Sequence, residues 1–224
     1  MIPQLTSTGL MEQFPALELP GIAHGMVKRV QGIPLSHDKS ATLALLQPWH
    51  DHAVLNLGFG PDQLFTAEQI HGTGIAEITT ESPRWSSGVD GLMTSEPGIL
   101  LGIHTADCAP VFIVDPVRNA VALLHSGRKS TEGGITPLAI AQMKAAFGSN
   151  PGDLLIQIGP CIRPPLFETD LPARIREDAM AAGVPEARIF DCGTCTGQAV
   201  DQYYSYRVEK GRTGRLLSLL GLHL

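Results

Sequence analysis

The stretch "HTADCAPVFIVDPVRNAVALLHSG", residues 104–127, sets Cys108 and His125 at opposite ends of two apolar runs. A thiol and an imidazole in one hairpin suggest two chemistries. They can share a transition metal, or the imidazole can deprotonate the thiol and make it a nucleophile. If residues 109–115 and 120–126 pair around "DPVRNA", with Asp115 opposite Ala120, then Pro110 faces His125. Side chains alternate with period two, so Cys108, Pro110 and His125 then lie on one face. Cys108 is one diagonal step from His125, a separation of roughly 7–8 Å that leaning side chains can close. A one-residue slip in register would put the two groups on opposite faces.

Two ligands seldom suffice for a metal. The third candidate is His71 in "QIHGTG", followed by a glycine that permits close backbone approach. His71, Cys108 and His125 with a fourth position open would make a catalytic zinc site. Asp107, beside Cys108, is placed to orient a ligand histidine or to move a proton. The catalytic candidates are therefore Asp107, Cys108 and His125. The plainer reading of the same residues is a buried free thiol and satisfied core histidines.

The elements that must carry these groups are mostly short strands. "GIAHGMVKRV", "GILLGIHT", "APVFIVD", "AVALLHSG" and "LLIQIGP" are apolar runs bounded by turn residues, as buried strands are. "HAVLNLGFG" reads as a further strand entering a Gly-rich loop, and "LFTAEQIHGTGIAEI" as a polar helix-like start followed by a strand. "TPLAIAQMKAAFG" predicts a helix capped by Thr136 and closed by Gly148, and "LPARIREDAMAAG" a helix closed by Gly183. Strands grouped in the middle with a few helices beside them predict an α+β or mixed α/β layered domain. No repeat or linker divides residues 1–224, so one domain is expected.

Composition narrows the class. A net charge of -6, with Lys and Arg scattered, argues against nucleic-acid binding. No apolar run approaches the ~20 residues that span a bilayer, and "MIPQLTSTGLMEQF" shows no secretory signal, so a cytoplasmic location is expected. The cysteines at 108, 161, 192 and 195 are then expected to be reduced thiols. "CGTC" at 192–195 is expected to be a loop with buried thiols rather than a redox pair. "HDH" at 50–52 places two histidines on one strand face, too few for a multicopper site. "YYSYRVEKGRTGR" is expected to pack at an edge with an exposed basic turn, its arginines 207, 212 and 215 being weak anion candidates.

Several of these segments resemble the laccase-domain family, also called multicopper polyphenol oxidase and associated with purine nucleoside phosphorylase and adenosine deaminase activity. Some of its members are called peptidoglycan editing factors. The matching pieces are "HGMVKRVQG", "LNLG", "QIHGTG", "VDGLMT", "TADCAPV", "LLHSG", "IGPCI" and "YYSYRVEKGRTGR", in the family's order and over most of the chain. The resemblance implies an α/β/β/α sandwich with mixed sheets, and a zinc ion on His71, Cys108 and His125, with copper as a possible substitute. It also implies purine nucleoside and phosphate as substrates: phosphorolysis of adenosine, inosine or methylthioadenosine, and deamination of adenosine.

Arg29 falls on the arginine of the family's "STR-x-GG" motif and is expected to bind phosphate. The family's "HAGWRG" is here "HSGRKS", so Arg128 and Lys129 replace a tryptophan and an arginine, and both are expected at the substrate. His104 is added ahead of "TADC". The altered segment keeps two rivals in play: a Cys108–His125 hydrolase acting on an amide, for instance in peptidoglycan precursors, and a metal-binding paralogue without turnover. Oligomeric state is not legible in the sequence.

Overall fold

Alternation along the central strands sorts their side chains into two layers. In a computed structural model, which describes residues 10–224, two mixed six-stranded sheets stack face to face. The first runs β1 (Met11–Glu12), β2 (Ile22–Val27), β12 (Leu216–Leu222), β7 (Leu100–Thr105), β3 (Leu64–Ala67), β5 (Trp85–Ser86). The second runs β11 (Ile189–Asp191), β10 (Leu155–Ile158), β8 (Ala109–Asp115), β9 (Ala120–Ser126), β6 (Gly91–Thr94), β4 (Ile75–Glu77). Between the sheets lie Leu101 and Ile103, Leu216 and Leu220, Phe112 and Val114, and Val121 and Leu123, all buried in one core.

The residues between them in sequence point outward. Leu100, Leu217 and Leu219 meet Ala53 and Val54 of helix α1 (Lys39–Asn56) and Leu57, its C-cap. Val111, Ile113, Ala122 and Leu124 meet α3 (Ile135–Phe147) and α4 (Leu171–Ala181), which follow the single turn α2 (Arg128–Glu132). Each fully buried aliphatic chain contributes about 1.5–3 kcal/mol, so three apolar seams hold four layers. The expected single-domain α/β/β/α sandwich is what forms.

The β8–β9 hairpin has the expected register, with Asp115 opposite Ala120 and Pro110 opposite His125. Other expectations need correction. "HDH" and "HAVLN" are helical, not extended: Asp38 Oδ1 accepts from the backbone of Ser40 and Ala41 at 2.8 and 3.1 Å and starts α1. The helix runs through Pro48 because Thr42, Leu46, His50 and Ala53 form a buried face at helical spacing. "LFTA" is strand β3, drawn into extended form by parallel pairing with β7. Helix α3 is capped by Gly134, φ 78°, two residues before Thr136, which is buried within the first turn. The C-terminal "LLSLLGL", for which no element was expected, is β12, an interior strand between β2 and β7. Among the described residues no helix is long and apolar enough to cross a membrane. Residues 1–9 of the stretch read for a secretory signal lie outside the described residues.

Candidate metal centre and its cavity

Two chain crossings between the sheets carry the chemistry. The loop leaving β3 passes from the first sheet to β4 of the second and bears His71; the turn from β7 to β8 makes the same crossing and bears Cys108. His125 reaches the same end of the sandwich on β9, on the face that buries Leu123 and Val121 between the sheets. One donor atom from each of His71, Cys108 and His125 lies within 4.8 Å of the others. Cys108 Sγ is 3.8 Å from His71 Nε2, and the two imidazoles meet edge to face with centroids 4.8 Å apart.

The sheet register accounts for His125 and Cys108, but His71 needs a clamp. That clamp is Asp90, fully buried just before β6. Its carboxylate accepts the backbone N–H of Ile70 at 3.1 Å, of His71 at 2.9 Å and of Gly72 at 2.7 Å. It also accepts His125 Nδ1 at 2.7 Å, while the Asp90 carbonyl accepts the His125 backbone N–H at 2.7 Å. One carboxylate thus fixes the loop of one ligand and the ring of another. With Nδ1 committed, His125 presents Nε2, the carboxylate–histidine arrangement that supports a metal ligand. The loop backbone is strained into this shape: His71 and Gln69 sit at φ 61° and 65°. The Gln69 carboxamide holds it by pairing with the backbone of His104, accepting at 2.9 Å and donating at 2.5 Å.

Asp107 does something other than expected. Its Oδ1 accepts the Thr196 hydroxyl and its Oδ2 the Arg207 backbone N–H, each at 2.7 Å. Its carbonyl accepts Ile162 N–H at 2.9 Å. The histidine-orienting role falls to Asp90, and Asp107 ties three wall segments together. Gly127 is required for room: a Cβ there would meet Cys108 Sγ at 2.7 Å and His71 Cδ2 at 3.2 Å.

The triad has a distinctive electrostatic setting. Burial pushes the Cys108 thiol up, but hydrogen bonds and charge from His125 and His71 outweigh it and lower the pKa to about 6. Burial works to lower His125, yet Asp90 and Cys108 raise it to about 9. Zinc bonds of ~2.0–2.3 Å define a tetrahedron with edges of roughly 3.5 Å, so the observed donor spacing fits such an ion after small side-chain shifts. Sulfur and nitrogen donors of this kind suit ions such as zinc and copper.

The triad opens into a cavity of about 760 Å³. Its wall includes Lys39 from α1, His104 from β7, and Tyr206, Arg207, Lys210 and Arg215 from the segment before β12. Arg128 lines it too, paired at the exposed rim with Glu168 at 3.0 Å, which also binds Arg207 at 2.9 Å. Two expected phosphate ligands are absent from this wall. Arg29 is turned away, half-buried against Glu209 at 2.9 Å and over the Tyr204 ring at 4.9 Å. Lys129 is exposed on α2. Sequence reasoning missed Asp90, Lys39 and Lys210. It treated the 203–215 segment as an edge when that segment forms one side of the cavity.

The remaining candidates stay apart. His50 is buried inside α1 while His52 faces Asn56 at 3.1 Å, so "HDH" is not a ligand pair. Cys192 and Cys195 are free thiols on a loop, as expected, though only Cys195 is buried, where its backbone pairs with that of Cys161, and Cys192 is half-buried.

The family described as multi-copper polyphenol oxidoreductase laccase matches residues 49–170 and 167–223. The chain belongs to that family. A purine nucleoside phosphorylase of Deinococcus radiodurans is 30% identical over 97% of this chain and 95% of its own length. Purine nucleoside phosphorylase YlmD of Geobacillus stearothermophilus is 31% identical over 74% of each chain. The solved structure of YlmD from Geobacillus stearothermophilus superposes with a TM-score of 0.83, covering 96% of this chain and all of that one at 24% identity. The Bacillus licheniformis protein YfiH superposes at 0.81, covering 90% and 92% at 24% identity. These superpositions speak for the fold.

Proposed function

We propose that this member of the laccase family is a zinc-dependent enzyme of purine nucleosides, acting by phosphorolysis and, on adenosine, by deamination. The observation that carries the reading is the convergence of His71, Cys108 and His125 on the floor of a cation-lined cavity. The relatives named purine nucleoside phosphorylase support the substrate class. In phosphorolysis a phosphate oxygen bonds to the anomeric carbon, the glycosidic C–N bond breaks, and the electron pair leaves with the base, which takes a proton. A zinc ion on the three donors would supply a Lewis acid beside the reacting atoms. Asp90 keeps the His125 ring and the His71 loop in place, and Asp107 holds the opposing walls. The expected location is the cytoplasm, where free thiols stay reduced.

The test is metal-stripped and zinc-restored protein incubated with adenosine and phosphate, followed by chromatography. Adenine, inosine or hypoxanthine should form only in the zinc-restored sample and not with His71→Ala. Absence of all three products under zinc-replete conditions would refute the reading.

A second reading has its own observation. The lowered thiol of Cys108 beside the raised imidazole of His125 is the arrangement of a thiolate nucleophile for amide chemistry. Labelling of Cys108 by an electrophile, blocked by substrate and indifferent to chelators, favours this reading over zinc.

A further inference from the structure

The cavity wall is electrostatically lopsided. It carries Lys39, Arg128, Arg207, Lys210 and Arg215 against Asp107, whose oxygens already accept Thr196 and Arg207 N–H. Arg128 and Arg207 share Glu168 at the rim. Among the described residues, Lys39, Lys210 and Arg215 have no carboxylate within ion-pair reach. Lys210 is exposed, but Lys39 and Arg215 are half-buried. Arg215 spends one guanidinium nitrogen on the Gly214 carbonyl at 2.8 Å and packs over Tyr206 at 5.9 Å.

Two half-buried cations facing one cavity without a direct ion-pair partner, and with carboxylates only at longer range, favour an anion between them. The burden is visible in their titration: burial and then the Arg215 charge lower Lys39, and burial lowers Arg215. Both also act on His104, which burial chiefly keeps neutral, so the same wall offers an uncharged imidazole. Lys39 and Arg215 line the same cavity as His71, Cys108 and His125, and Arg215 feels the charges of Cys108 and Asp107.

We propose that Lys39 and Arg215, together with His104 in the same wall, form a subsite for a tetrahedral oxyanion in the cavity of the His71–Cys108–His125 centre. The site deepens the nucleoside-phosphorylase reading and rests on it only for the anion's use. A guanidinium and an ammonium matched to a phosphoryl group supply both the forked and the point-charge donor that such groups favour. The anion is either free phosphate acting as co-substrate or a phosphoryl group carried by the nucleoside.

Inorganic phosphate is titrated calorimetrically into the zinc-loaded protein, its Lys39→Met and Arg215→Met variants, and the charge-keeping Lys39→Arg and Arg215→Lys. Arg29→Gln, away from the cavity, serves as the control. Removal of one charge-assisted contact should weaken phosphate binding roughly tenfold or more, while the charge-keeping variants and Arg29→Gln retain most of it. Turnover, where present, should show the same rise in the phosphate KM with the nucleoside KM little changed.

Should adenosine 5′-monophosphate bind through Lys39 and Arg215 while free phosphate does not, the site stands and its anion is the substrate's own. Loss of phosphate affinity in both methionine variants of a protein that releases no base also leaves the site standing, and the phosphorylase reading falls instead. Unchanged binding of both anions in folded methionine variants overturns the subsite, whatever the fate of phosphorolysis.

Discussion

Asp90→Asn is the sharpest probe of how the centre is built. The carboxylate oxygens divide four donors between them: Oδ1 takes His71 N–H and His125 Nδ1, and Oδ2 takes Ile70 N–H and Gly72 N–H. An asparagine has one acceptor oxygen and one NH2. With the NH2 toward Ile70 and Gly72 two N–H groups lose their acceptor; with it toward His71 and His125 one N–H does, and the His125 ring must switch tautomer to accept. Each unsatisfied buried donor costs about 1–3 kcal/mol, so the substitution should destabilise by roughly 1–6 kcal/mol despite its near-identical shape. In a chain of this size that lowers Tm by about 2 °C or more. The loosened ring and loop should also weaken zinc binding about 10–100-fold, the usual result of removing a ligand's supporting partner.

The pH dependence adds a signature. Burial pushes the Asp90 carboxyl up, but His125 and the Gly72 and His71 N–H groups outweigh it and hold the carboxyl below its ordinary value. Its stabilisation is therefore present above the unfolded value near 3.8 and is lost as pH falls through the lower folded one. The asparagine variant should lack this acid limb. Differential scanning calorimetry of metal-free protein and competitive zinc titration check both effects. A variant that keeps wild-type Tm and zinc affinity would refute the clamp.

Gly127→Ala should leave the fold nearly intact yet weaken zinc binding, because the new methyl would press on Cys108 Sγ and His71; zinc titration beside urea unfolding separates the two effects. Asp107→Asn should keep stability and turnover, since asparagine tolerates the φ of 87°, accepts Arg207 N–H and donates to a rotated Thr196 hydroxyl, whereas Asp107→Ala should lose both. A loss of 10²-fold or more in kcat for the folded asparagine variant would instead make Asp107 a proton donor or acceptor. His50, with an unpartnered buried Nε2, is lowered to about 4 chiefly by burial, so the folded state resists its protonation. Stability should fall by about 3 kcal/mol between pH 6.5 and 4, a loss that His50→Leu reduces when urea midpoints are compared at the two ends.

What the sequence made legible was whatever local pairing decides. The β8–β9 register follows from two apolar runs and a turn, and with it the shared face of Cys108 and His125. Helices α3 and α4 announce their ends through Gly148 and Gly183, at φ 69° and 98°. The signals that failed were those settled by distant partners. Pro48 and the histidines around it obscured α1, whose buried face is defined by strand β2 and by β12 from the far end of the chain. Asp90 sits in "VDGLMT", where an acid before an apolar run looks like any turn residue. Only the arrival of the His71 loop and β9 at the same point makes it the hub. Arg29 shows the reverse error, since a motif position carries a charge but not its direction, and Glu209 takes that charge away from the cavity.

The placement of the ligands has a consequence for folding as well as chemistry. His71 and Cys108 lie on two of the three chain segments that pass from the first sheet to the second, Asp90 lies on the third, between β5 and β6, and His125 lies on a strand of the second sheet only. An ion joining them would fasten both crossings to β9, at a place where Asp90 already fastens one of them. Because such an ion binds the folded chain and not the dispersed ligands, it would add about 4 kcal/mol at a free concentration a thousand times its dissociation constant. Without it, the protonated His125 and thiolate Cys108 attract one another between the values of about 6 and 9 that bound their titrations. This attraction supplies part of the same closure. Metal removal should therefore destabilise the protein most above pH 9, where His125 is neutral and the pair's attraction is gone, and least below pH 6, where protonation of the ligands weakens the ion's hold. A melting temperature of the metal-free protein that is flat across pH 5 to 10 would contradict this coupling of the two sheets through the centre.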